Sequence, residues 1–111
     1  MIKVGLIGLG TVGTGVVKIL QKNKALIEER IGDSIEISQF CDKFIKENPE
    51  IGLKSGNVVS DYRKLIEDPS LDILIELIGG YEPARTIILQ ALEKGKHVVT
   101  ANKAVLAKHW D

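Results

Sequence analysis

The sequence predicts an α/β fold, a doubly wound parallel sheet with strands in the spatial order 3-2-1-4-5. Three observations carry this. Short, β-branched apolar runs alternate with longer amphipathic stretches along the chain. The run "LDILIELIGG" (residues 71–80) is nearly continuous in apolar character, as a strand covered on both faces must be. The first apolar run ends in a glycine-rich turn that opens straight into a helical pattern.

Each element follows in order. Residues 2–8, "IKVGLIG", form a short apolar run with a glycine stop and read as a buried strand. From Thr11 onward, Val12, Val16, Ile19, Leu20, Leu26, Ile27 and Ile31 recur at helical spacing. They predict one long helix, ended by Gly32 as its C′ residue. "IEISQFC" (35–41) alternates as a second strand. Charges, a proline and glycines make residues 42–57 mostly loop, or a short helix. "NVVS" (57–60) is a brief third strand, after which Asp61 caps a short helix reaching about Glu67. Residues 71–80 are the fourth strand. Pro83 near its start and Gly95 past its end frame the next helix. "KHVVTA" (96–101) is the fifth strand, and Asn102 caps a further helix just before Asp111. Right-handed crossovers leave few other ways to connect these elements.

Composition narrows the function classes. The 111 residues suit one domain, 1–111. Fifteen basic and fifteen acidic residues leave no basic field for nucleic acid. Aromatic residues are scarce, which argues against base-stacking platforms. No apolar run approaches the roughly 18 residues of a membrane span, and the N-terminus lacks a signal-peptide layout. Cys41 is the lone cysteine, so no internal disulfide forms, and nothing points to a metal cluster. A cytoplasmic location is the default expectation.

The turn "GLGTVG" is a G-x-G-x-x-G with a strand before it and a helix after it. Gly8 permits the tight turn, Gly10 lets a pyrophosphate approach the backbone, and Gly13 lets the helix pack close to the strand. N–H groups at the helix start, around Leu9, Thr11 and Val12, can hold phosphate oxygens, where the helix dipole favours negative charge. A βα turn with no ligand would share the same pattern. At the end of the second strand Asp42 stands where a carboxylate bonds the adenosine ribose. Lys43 follows it and could accept a 2′-phosphate, so the pair leaves NAD and NADP both open. Two solvated loop charges are the plainer alternative.

In open α/β sheets ligands bind beyond the carboxyl ends of the strands, at the switch point. Three segments converge there in the expected order: the glycine turn, Gly79-Gly80, and Thr100-Ala101-Asn102-Lys103. The glycine pair would let a nicotinamide or its ribose lie against the backbone, or it is a plain turn. Lys103 sits in the first turn of the expected helix, where a cation is disfavoured. An anion nearby would resolve that misfit, although exposed lysines are the norm. Glu76 interrupts the fourth strand and reads as a carboxylate satisfied by backbone N–H groups, with a polar group lining the crevice as the alternative. His97 and His109 lack partners at ligand spacing and read as packed or surface residues. Cys41 reads as a small core hydrophobe.

Taken together, "GLGTVG", "IELIGG" and "GKHVVTANKAVLA" resemble the N-terminal nucleotide-binding domain of the homoserine dehydrogenases. The resemblance runs from Ile2 to Trp110, and residues 95–107 are its most specific part. It implies an enzyme that interconverts aspartate 4-semialdehyde and homoserine with NAD(P)H. It also implies that Lys103 contacts the cofactor at the active centre, as the catalytic residue of this chain. The family continues into a catalytic and dimerisation region that this chain lacks. The resemblance therefore implies a piece of a longer, homodimeric protein, binding nucleotide weakly and inactive by itself. The segment "FCDKF" is only loosely like the family pattern, which keeps the cofactor choice open. Two other readings stand beside it. The sugar and inositol oxidoreductases share the glycine motif and "GKHV", but set their lysine in E-K-P, where this chain has Ala101-Asn102-Lys103-Ala104. A nucleotide-binding sensor without chemistry would suit the short chain.

Overall fold

The structure is a computed structural model that describes residues 1–78 and 82–100. Within them a five-stranded sheet has the order β3-β2-β1-β4-β5, and each neighbouring pair is parallel, as the sequence predicts. The strands are β1 (Ile2–Ile7), β2 (Ile35–Cys41), β3 (Val58–Val59), β4 (Ile73–Glu76) and β5 (His97–Thr100). β4 has four residues rather than the ten of its apolar run. Leu77 and Ile78 leave the strand, although the Leu77 N–H still donates to the Ile7 carbonyl at 2.9 Å. The fifth-strand reading is trimmed at its start, because Lys96 is buried and donates its ammonium to the Asp68 and Leu71 carbonyls.

Between β1 and β2 the chain forms two helices, α1 (Thr11–Lys22) and α2 (Lys24–Ile31), where the spacing predicts one. The break is at Asn23, whose backbone and side-chain amides both donate to the Ile19 carbonyl at 3.0 Å. That side chain competes for a helical acceptor, as asparagine does. Gly32 then closes α2 in the left-handed conformation, as expected. The apolar face is also placed differently. Val12, Ile19, Leu26 and Ile31 are exposed, and α1 buries Gly13 and Val17 instead. Helix α3 (Arg63–Glu67) starts with the Asp61 carboxylate accepting the Arg63 N–H at 3.0 Å, which is the capping role expected of Asp61. Residues 42–57 are loop with one short 3₁₀ turn, Pro49–Ile51. α4 (Ala84–Glu93) begins directly after Pro83.

The core has one cluster on each face of the sheet. Ile7, Leu74, Leu65, Ile66, Ile87 and Ala91 pack under α3 and α4. Cys41 belongs to this cluster, as its reading as a core hydrophobe requires. Leu6, Leu9 and Val17 pack with Ile51 and Leu53 under α1. Covering both faces leaves the strand ends as the places where loops and ligands can meet. The helix expected after β5, with Asn102, Lys103 and His109, lies outside the described residues.

Candidate functional site

The three glycines of the turn do different work. Gly8 has φ +107°, and a side chain there would also meet the Leu77 backbone at 3.0 Å. Only glycine tolerates both demands. At Gly13 a Cβ would stand 1.9 Å from the Gly8 carbonyl oxygen, so α1 lies against the turn as closely as backbones allow. Gly10 is the reverse case. It is exposed, its backbone is extended, and among the described residues no atom beyond its chain neighbours lies within 4 Å of where a Cβ would be. The packing of the described residues makes no demand for glycine there.

Gly10 is also the N-cap of α1, and among the described residues no side-chain cap is made there. The first N–H groups of a helix have no partner inside it. The exposed Thr11 and Val12 begin the helix at this point, while Thr14 turns inward, donating to the Leu9 carbonyl at 3.2 Å and accepting from Asn48 at 2.8 Å. The turn is thus fixed from behind and open in front.

Asp42 sits beside this turn and is not a solvated loop charge. One carboxylate oxygen accepts the Leu9 N–H at 2.7 Å. The other accepts the Phe44 and Ile45 N–H groups, each at 2.9 Å. Burial would raise the Asp42 carboxyl, but the donors Ile45, Leu9 and Phe44, with Lys46 nearby, outweigh it and hold it below the ordinary value. Asp42 therefore ties the end of β2 to the glycine turn. The oxygen facing Leu9 has room for a second donor. Lys43 is exposed, with its ammonium 5.7 Å from the centroid of the Phe44 ring.

These residues line a cleft of about 710 Å³ at the carboxyl edge of the sheet. Gly8, Gly10, Asp42 and Lys43 form one side. The rest of the wall comes from residues 60–63 after β3, next to the end of β2, and from Leu77, Ile78 and Pro83. Sequence reasoning missed that wall, although the strand order places the end of β3 beside the end of β2. Within it Asp61 and Arg63 form an exposed ion pair at 3.2 Å.

Across β4, Thr100 ends β5 opposite Glu76 and donates its hydroxyl to the Glu76 carboxylate at 2.7 Å. Glu76 is fully buried and also accepts the Ile78 N–H at 2.6 Å, the backbone satisfaction its reading expects. Burial pushes its carboxyl up, against the pull of those two bonds. His97 is exposed on β5, a surface residue as expected. Of the remaining expected site residues, Gly79, Gly80, Asn102 and Lys103 lie outside the described residues. Among the described residues no cluster of metal-ligating side chains occurs, and no helix is long and apolar enough to cross a membrane.

A parallel sheet whose glycine turn meets an uncapped helix start, beside the switch between β1 and β4, is a Rossmann-type nucleotide-binding fold. Comparison with known proteins narrows the class: residues 8–111 match the family model for the NAD binding domain of homoserine dehydrogenase, and the chain belongs to that family. It is 43% identical over 106 residues to a homoserine dehydrogenase of Methylobacillus glycogenes, covering 96% of this chain and 26% of that one. A Pseudomonas aeruginosa homoserine dehydrogenase is 42% identical over 108 residues, covering 97% of this chain and 24% of its own length. The crystal structure of a homoserine dehydrogenase from Thiobacillus denitrificans superposes with a TM-score of 0.88 at 40% identity, over 98% of this chain and 25% of that one. The chain thus spans about a quarter of the length of these relatives. The family brings NAD or NADP as cofactor. The residues present fit such a group, because an open Gly10 and an uncapped helix start are what a pyrophosphate requires.

Proposed function

We propose that residues 1–111 are the NAD(P)-binding domain of a homoserine dehydrogenase that interconverts L-aspartate 4-semialdehyde and L-homoserine. The region that binds substrate and forms a homodimer then belongs to a longer protein, and the intact enzyme works in the cytoplasm. Gly10 is the observation that carries the cofactor reading. It is a glycine in a cleft wall, at a helix start with no side-chain cap at its N-cap position, for which the packing of the described residues gives no reason. The backbone from Gly8 through Leu9, Thr11 and Val12 to Gly13 cradles the pyrophosphate, and the dipole of α1 favours its charge. Asp42 offers its remaining acceptor capacity to the adenosine ribose, and Lys43 stands beside it for a 2′-phosphate. Gly79, Gly80, Thr100 and Asn102 serve the nicotinamide end, and the resemblance puts Lys103 at the reacting groups as the catalytic residue. When bound, the nicotinamide would supply hydride chemistry at the aldehyde carbon, with a proton at the oxygen completing the alcohol and the reverse transfer regenerating the aldehyde.

The test is a calorimetric titration of the chain with NADH and NADPH, beside Gly10→Ala. A methyl group at position 10 meets no atom of the described residues beyond its chain neighbours, so the fold is expected to keep its urea midpoint. Affinity is expected to fall about tenfold or more. Equal affinity in the two proteins would remove the phosphate from this turn.

A further inference from the structure

Glu76 is the most heavily buried acid in the described chain, and it sits in a run that is otherwise apolar on either side. A carboxylate in that position is costly unless hydrogen-bonded. Both of its oxygens are used, and for two different elements. One takes the Thr100 hydroxyl at the end of β5, the other the Ile78 N–H just past the end of β4. The bond to Ile78 reaches the cleft, because Leu77 and Ile78 line it. In sequence, Ile78 runs into Gly79-Gly80, and Thr100 runs into Ala101-Asn102-Lys103.

We propose that Glu76 is a positioning residue: it clamps the ends of β4 and β5 together and so sets where the chain departs towards Gly79-Gly80 and Lys103. This rests on the reading that those two segments serve the nicotinamide end of the cofactor. A satisfied buried network of this kind fixes one arrangement of the backbone. The backbone ladder pairs Glu76 with Thr100 at the end of both strands; the carboxylate adds a side-chain link from Thr100 to Ile78, beyond the last residue of β4. The clamp lies on the β4–β5 side of the switch point, away from Asp42 and the adenosine side. Its loss should therefore be felt by one half of the ligand.

The test compares two probes on the same protein: NADH, and ADP-ribose, which lacks the nicotinamide. NADPH and 2′-phospho-ADP-ribose replace them if the chain prefers the phosphorylated cofactor. Wild type is expected to bind the whole dinucleotide more tightly than the probe without nicotinamide. Glu76→Leu keeps the bulk and removes both acceptors. It is expected to lose that preference, with NADH weakened about tenfold and ADP-ribose unchanged. Glu76→Gln can still accept from Ile78 and donate to Thr100, and is expected to restore the preference. If Glu76→Leu does not fold, Thr100→Val removes one arm of the clamp and is expected to show the same selective loss at smaller size. Parallel weakening of both probes, or no weakening of NADH, would overturn the proposal. A wild-type chain that binds neither probe would overturn the dinucleotide reading itself, and this inference with it.

Discussion

Gly13→Ala is the substitution that tests the packing of the glycine turn most severely. The added methyl carbon would lie 1.9 Å from the Gly8 carbonyl oxygen and 2.9 Å from its carbon. A relaxed carbon–oxygen contact needs about 3.3 Å, so the start of α1 must retreat by roughly 1–1.5 Å. The neighbours cannot absorb this as a side chain would, because the atoms struck are backbone. The retreat pulls Val17 away from Leu6 and Leu9, with which it is buried. Overpacking of this kind costs about 1–3 kcal/mol, and so close a backbone contact belongs at the upper end or beyond. Alanine returns about 1 kcal/mol through helix propensity. A net loss of about 2 kcal/mol corresponds to a Tm lower by about 8–15 °C in a domain of this size. Gly15→Ala is the control: it lies in the same helix, its Cβ meets nothing within 4 Å among the described residues outside the helix's own backbone, and only the propensity gain remains. Thermal and urea denaturation followed by circular dichroism should move the two variants in opposite directions. If Gly13→Ala is as stable as wild type, or gains stability like Gly15→Ala, the close approach of α1 to the turn is wrong.

Two further outcomes follow from the same edge of the sheet. Asp42 is held below its ordinary pKa when folded, so it contributes stability above the unfolded value near 3.9 that is lost as pH falls through that range towards its folded value. Asp42→Asn should lower stability at pH 7 by about 1–3 kcal/mol, and the acid limb of its urea midpoint between about pH 5 and 2 should be flatter than that of wild type. An unchanged acid limb would mean that the three backbone donors do not hold the carboxylate. Cys41 is buried, and burial, helped by the charges of Asp42 and Asp61, pushes its thiol up to about 11. A thiol reagent at pH 8 should leave the folded chain unmodified and react at a rate that follows urea-induced unfolding; rapid labelling of the native protein would contradict its burial.

Much of this fold was legible because strand periodicity and glycine stops are local signals. The order of the strands followed from alternation and crossover handedness, and β2 was read to its exact ends. The errors have physical causes. Hydrophobic periodicity could not see that α1 packs through Gly13, because a glycine carries no hydrophobic mark. It therefore assigned the buried face to Val12 and Ile19, which are exposed. The break at Asn23 depends on one side-chain amide finding the Ile19 carbonyl, and helical spacing continues across it. At the site, the glycines and Asp42 were visible in the sequence. That Asp42 is bound to three backbone N–H groups was not, since two of its donors follow it in an irregular loop and the third is 33 residues away. The wall at residues 60–63 was legible in principle from the strand order alone.

On the proposed reading a dinucleotide lies across the carboxyl edge of this sheet, with its phosphates on the glycine turn. Amide chemical-shift mapping of the chain during titration with NADH or NADPH shows where it sits. The claim predicts that the amides of Leu9, Gly10, Thr11, Val12 and Gly13 shift together with those around Asp42 and Lys43. Asp72 and Lys96, which border the cleft at the opposite edge, should stay in place. Shifts concentrated at that opposite edge, or none at the glycine turn under saturating cofactor, would contradict it.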